Sequence, residues 1–268
     1  MKRKHIITIS IVGIVIILFL GLLIYINVNS GVNPPFTVVE SESMQHNNTE
    51  SQIGVIDTGD MIYVQSPDKT DIVSYVDGYK SGYESFGDYG SVIVYKRPNG
   101  NPVIHRAIVW VEKVGSKWTI ESLNGYDESL WNINDEHEYE EVTGILTMTF
   151  KSGYRNITCT IDLSGLIQSG YLTLGDNSST NLNFDQVSVS GIHNKPISKE
   201  MIKSVATTEI PWIGCLKLIL NGKDSKVEVH ASNSIEYLIV FFVTMFLLII
   251  ASSYCFDEIN MYWISRKI

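Results

Sequence analysis

Ser41-Glu42-Ser43-Met44, Ile104-His105-Arg106 and Gly175-Asp176-Asn177 follow one another along the chain and supply a serine, a histidine and a carboxylate. A hydroxyl becomes a useful nucleophile when a base takes its proton and an acid orients that base, so these residue types are the parts of acyl-transfer chemistry. A neutral imidazole, with a reference pKa of about 6.5, accepts such a proton near neutral pH, whereas a lysine at about 10.4 must first be desolvated. Singly, each residue has an ordinary structural reading. A histidine in the apolar run Val103 to Val109 is commonly satisfied by backbone, and an aspartate in a Gly-Asp-Asn turn commonly serves the turn. Their association is what points to catalysis.

Residues with such work to do need a rigid frame, and the surrounding pattern predicts a mainly β domain. Met61 to Val64, Ser91 to Tyr95, Val103 to Val111, Lys117 to Ile120, Tyr171 to Leu174 and Val187 to Val189 are short runs rich in β-branched and aromatic residues, which favour strands. Turn chemistry separates them at Thr58-Gly59-Asp60, Gly87 to Gly90, Pro98 to Pro102 and Gly175 to Asn177, and the Pro98 to Pro102 stretch predicts a hairpin. Ser66 to Asp88 interrupts the pattern with polar, Tyr- and Gly-rich sequence. Glu121 to Glu141 interrupts it with eight acidic residues and no Lys or Arg. That acidic run reads as a solvated loop, or as the start of an insertion over 121–170 whose strands would be Ile145 to Phe150 and Ile157 to Ile161.

Two apolar segments bound this domain. Ile6 to Ile26 has no charged residue in 21 positions, long enough at about 1.5 Å per residue to cross a bilayer core. It is too long for the apolar core of a cleaved signal peptide, and no small-residue cleavage pattern follows it. Tyr237 to Phe256 is a second such run. Lys2-Arg3-Lys4 before the first and Arg266-Lys267 after the second both predict cytoplasmic flanks, 1–5 and 257–268, by the positive-inside bias. Residues 27–234 are then extracytoplasmic, enough chain for one buried core.

A formal charge of −9 leaves no basic patch for phosphates and excludes nucleic acid as a partner. With one of the three cysteines in the second apolar run, Cys159 and Cys215 read as small buried hydrophobes rather than a disulfide scaffold. No Cys or His spacing suggests a metal site, and no cofactor is expected. His46 reads as a surface residue. Trp110, Trp118 and Trp131 read as core, and Trp212 as facing the membrane interface. Asn47, Asn156 and Asn177 begin glycosylation sequons, the last expected to stay unmodified because of its place beside the site.

At these residues the chain resembles type I signal peptidases of the archaeal and endoplasmic-reticulum kind. The resemblance rests on Ser41-Glu42-Ser43-Met44, Gly59-Asp60, a stretched Gly87-Asp88 to Tyr95, Ile104-His105-Arg106, Gly175-Asp176-Asn177, Asp185 and Ile210-Pro211-Trp212-Ile213-Gly214. It implies a signal-peptidase-like β catalytic domain with Ser43 as nucleophile and His105 as general base. Asp176 would support that base, with Asp185 matching a later aspartate, and Ser41 would help bind the oxyanion. Which aspartate meets His105 stays open at this point. Three departures stand out: Glu42 beside the nucleophile, the extra residue after Gly87-Asp88, and the insertion between His105 and Asp176, read as a cap or side lobe. The expected activity is removal of signal peptides from exported preproteins at the outer membrane face, with the bilayer and a secretion translocon as partners. A membrane esterase or acyltransferase lacks the Gly-x-Ser-x-Gly pattern, and the non-enzyme alternative is an inactive anchored β-domain acting as a subunit or receptor.

Overall fold

The computed structural model describes residues 2–98, 100–153 and 155–265, with a sheet-rich core between two long helices. In chain order the elements begin with α1 (Lys2–Ser30), β1 (Phe36–Val38), β2 (Met61–Gln65), α2 (Tyr75–Ser81), β3 (Glu84–Ser85), β4 (Asp88–Tyr89), β5 (Val92–Tyr95) and β6 (Val103–Val114). There follow β7 (Lys117–Thr119), β8 (Trp131–Ile133), β9 (Ile145–Ser152), β10 (Arg155–Asp162) and β11 (Gly170–Leu174). The last are α3 (Asp185–Ser188), β12 (Ile202–Ile210), α4 (Gly214–Leu220), α5 (Asp224–His230) and α6 (Ser234–Ser265). The architecture is mixed: a sheet-rich core with a long helix at either end, α2 between β2 and β3, and α4 and α5 between the last strand and α6.

The main sheet runs β1-β2-β12-β5-β6-β11, with β7 added to the far end of β6, and its pairs are antiparallel. The predicted strands around His105 form as expected, β5 and β6 joining as a hairpin. Two assignments change. Val187 to Val189, predicted as a strand, belongs to the helical turn α3 and its C-terminal cap, because Asp185 and the neighbouring Gln186 hydrogen-bond into β11 and override a short β-branched run. β12 was not anticipated, although it lies in the middle of the sheet. Two register shifts break its alternation, so the period-2 signal is lost. Within Ser66 to Asp88, α2 is set by Ser74, whose hydroxyl caps Asp77 N–H, and by Gly82 in the left-handed conformation at its end.

The acidic insertion is not a solvated loop, and the two strands expected within it form as β9 and β10. Its charged residues face water, but β8, β9 and β10 form a second sheet whose Trp131, Leu146, Met148 and Phe150 share one core with Ile108, Val109 and Val111 of β6 and with Leu172 and Leu174 of β11. Trp118 is buried there too, while Trp110 is half-buried outside it. Cys159 and Cys215 are buried and unbridged.

α1 and α6 contain apolar stretches, Gly13–Ser30 and Ser234–Ser252, long enough to cross a membrane, and most of their described side chains there are exposed. The Arg266-Lys267 pair lies outside the described residues. Because the insertion and the sheet share a core, deleting residues 123–154 should abolish the cooperative unfolding transition of the domain in urea. A transition unchanged in midpoint and steepness would show the insertion to be dispensable.

Candidate active site

Successive side chains on a strand point to opposite faces, and on β6 this separates His105 from Arg106. His105 shares its face with Ala107, which pairs with Thr173 across β11. Arg106 pairs with Leu174. Two residues beyond Leu174, Asp176 keeps to the side of Arg106, and that is where its carboxylate goes. Arg106 Nε and Nη2 donate to the two oxygens of Asp176 at 2.8 and 2.5 Å. Asp176 therefore does not meet the imidazole. The carboxylate that does is Asp185, at the first turn of α3, with its Oδ2 2.7 Å from His105 Nδ1.

Three donors converge on Asp185 Oδ2: His105 Nδ1, the Thr173 hydroxyl at 2.6 Å and the Tyr95 hydroxyl at 2.8 Å. An ionised carboxylate only accepts, which assigns the Nδ1 proton to the imidazole and leaves Nε2 as the nitrogen that takes a proton. Tyr95 can serve because burial, reinforced by the Asp185 charge, pushes its phenol well above the ordinary value and keeps it a donor. His105 and Asp185 are almost wholly enclosed, at 4% and 1% exposure.

Ser43 lies on a one-turn helix, Glu42–Met44, that packs on β6. Met44 anchors this turn in an apolar cluster with Ile56, Ile62 and Val92. The Gly-Asp-Asn turn holds it from the other side. Ser43 C=O accepts from Asn177 N–H at 3.0 Å and from Asn181 Nδ2 at 2.9 Å, and Glu42 C=O accepts from Asn177 Nδ2 at 2.9 Å. Gly175 is required by close approach, since a Cβ there would sit 2.4 Å from Ser43 O. The Asn177 amide is thus buried and committed to this clasp. The Glu42 carboxylate is 3.6 Å from His230 Nε2, turned to a partner of opposite potential charge.

Ser43 Oγ is half-exposed, 3.4 Å from the hydroxyl of Ser41. Ser41, Ser43 and His105 line one open cleft of about 620 Å³, walled by β1, the β5–β6 hairpin, α4 and α5. Hydroxyl, oriented imidazole and second hydroxyl on one cleft are the components for attack on a carbonyl carbon and for binding the oxyanion that forms. Among the described residues no group of three His, Cys, Asp or Glu side chains is arranged to hold a metal ion.

Arg106 has a role that its place in the Ile-His-Arg motif does not reveal. Its Nη1 also reaches the carbonyls of Ser85, Asp88, Tyr89 and Gly90 at 2.8 to 3.2 Å, so one guanidinium ties the β3–β4 turn to the Gly-Asp-Asn turn. Burial opposes its charge, yet Asp176 and Asp88 outweigh that and hold its pKa above the usual value. Burial likewise opposes the Asp176 charge, and Arg106 with His46 brings it below the usual range. Removing one partner of such a buried pair costs about 3–5 kcal/mol. His46 is not the surface residue expected, for its side chain is 6% exposed and its Nε2 is 3.7 Å from Asp176 Oδ2.

A second brace positions α4. Asp60 Oδ2 accepts from Asp57 N–H at 2.8 Å and its Oδ1 from Trp212 N–H at 2.9 Å, while a Cβ on Gly214 would meet Asp60 O at 2.6 Å. The Gly59-Asp60 and Ile210 to Gly214 motifs are therefore one interlocked unit. The Trp212 ring packs on Tyr237 at the start of α6, with centroids 5.3 Å apart.

Comparison with protein-family models, with curated proteins and with solved structures finds no match.

Burial drives Asp60 upward to about 8 and, near it, Glu209 of β12 to about 7 and Asp57 to about 6. Groups raised on folding contribute stability that is full below the unfolded carboxyl range and is lost as pH climbs through the folded values. The melting temperature should therefore fall between pH 5 and pH 9, and Asp60→Asn should flatten that slope. A native profile that is level or rising over this range would contradict the assignment.

Proposed function

We propose that this chain is a membrane-bound serine endopeptidase that cleaves signal peptides from exported preproteins at the outer membrane face. The observation that carries the reading is that Ser43 and an Asp185-oriented His105 line the same cleft. In this mechanism His105 Nε2 takes the Ser43 proton as Oγ attacks the scissile carbonyl, and the Ser41 hydroxyl and local N–H groups bind the oxyanion. His105 then gives the proton to the leaving amine, and water releases the acyl group by the same path in reverse. Asp185 keeps the proton on Nδ1 and stabilises the imidazolium. Asp176 acts through structure, fixing the turn that clasps Ser43.

The proposed location rests on the two long apolar helices. α1 and α6 would cross the bilayer, and the basic residues flanking them put the sheet domain outside. α4 and α5, which wall the cleft, lead directly into α6, which suits a substrate whose reactive bond lies just beyond the bilayer. β1, an edge strand of the sheet, lines the cleft through Thr37 and Val38 and suits an extended peptide bound by strand addition. A secretion translocon would deliver such substrates.

Full-length protein in detergent or vesicles should cut a model preprotein once, on the C-terminal side of its hydrophobic segment. Ser43→Ala and His105→Ala should each lower the kcat of the folded protein by about 10²- to 10⁴-fold, with an unchanged urea midpoint for Ser43→Ala and a lowered one for the buried His105→Ala. Native-like cleavage by Ser43→Ala would overturn the mechanism. A native protein that cuts no preprotein would favour the inactive, receptor-like alternative.

A further inference from the structure

The cleft carries a charge opposite to that of the rest of the chain. The sequence has 20 Lys and Arg against 29 Asp and Glu, yet the cleft walls hold Arg97, Lys217, Lys223 and Lys226 and a single carboxylate, Glu40. Glu40 reports on this wall. Its carboxylate accepts from Lys223 Nζ at 2.5 Å and its C=O from Lys226 Nζ at 3.0 Å. The Lys223 hydrogen bond, joined by the charges of Lys223, Lys226 and Lys217, holds Glu40 below the usual carboxylate range despite partial burial. A carboxylate in this cleft thus feels three ammonium groups at once.

Of the three, Lys217 acts on Glu40 through its charge alone. Lys217 Nζ makes no hydrogen bond or ion pair among the described residues, and neither does the Arg97 guanidinium with any carboxylate; Arg97 Nε donates only to Asn101 C=O, at 3.2 Å. Nor is the wall a loose surface, because α4 is fixed beneath Lys217 by the contact of Gly214 with Asp60 and by the buried Cys215 and Leu218.

We propose that Lys217, with Lys223 and Lys226, forms a subsite for an acidic side chain of the peptide substrate, within a few residues of the bond that Ser43 attacks. This rests on the endopeptidase reading and adds a substrate class to it, namely peptides with Asp or Glu flanking the scissile bond. Glu40 is the resident anion of the subsite and leaves Lys217 for the incoming one. Such exposed pairs are individually weak and are screened by salt, so the subsite ranks substrates rather than gating them.

The test uses full-length protein in vesicles of zwitterionic lipid and matched preproteins carrying Glu, Gln or Lys at successive positions on either side of the cut. At one or two positions Glu should exceed Gln in kcat/KM by about fivefold, and Lys should fall below Gln; these differences should vanish near 1 M salt. Lys217→Glu should reverse the order and Lys217→Gln level it. Equal kcat/KM for all three residues at every position overturns the proposal. So does a Lys217 effect that depends on added anionic lipid and not on peptide charge, which would assign the lysines to headgroups. Should no preprotein be cut, binding of fluorescent peptides decides separately. Acidic peptide held by native protein and not by Lys217→Glu would keep the subsite and remove the peptidase reading, while no charge preference in binding would remove both.

Discussion

Everything at the candidate site depends on the alternation of one strand. β6 carries His105 and Arg106 side by side in sequence and therefore on opposite faces of the sheet, and each face receives its own carboxylate from the segment after β11. On one face Asp185 orients the imidazole, held by Thr173 and Tyr95. On the other, Asp176 neutralises a fully enclosed guanidinium that binds four carbonyls of the β3–β4 turn. The two aspartates are thus not interchangeable. One faces a base and the other a permanent charge, and the strand's pleat decides which.

Ser43 is positioned by the second of these constructions. Arg106 and Asp176 set the Gly-Asp-Asn turn, and the amides of Asn177 and Asn181 then grip the carbonyls of Glu42 and Ser43. Gly175 allows the turn to come that close. A buried ion pair is costly to form and more costly to break, so the position of Ser43 is set by an interaction that does not titrate away in the physiological range.

Much of this frame was legible in the sequence, for identifiable reasons. The strands around His105 have uninterrupted β-branched runs, the hairpin has its Pro and Gly signals, and the three chemistry-bearing motifs stand at fixed turns and strand positions. What escaped the reading depends on long-range contact. β12 is disguised by its irregular register. α3 exists because Asp185 and Gln186 bond into β11 rather than because of its own helix-forming tendency. The choice between Asp176 and Asp185 needed the register of β6 with β11, which no local pattern encodes. The strands of the acidic insertion are legible as β-branched runs, but their place is not: Trp131, Leu146 and Phe150 complete the core of β6 through packing that no local pattern encodes. His46, close to Ser43 in sequence, is drawn inward by Asp176.

The separate roles of the two aspartates are tested most directly by measuring preprotein cleavage and urea unfolding on the same preparations of native, Asp185→Asn and Asp176→Asn protein. The account predicts that Asp185→Asn loses about 100-fold or more in the kcat of its folded fraction, beyond any lowering of its urea midpoint. Asp176→Asn should show a clearly lowered midpoint, with kcat of the folded fraction within severalfold of native. Cleavage by Asp185→Asn at the native rate would contradict the account.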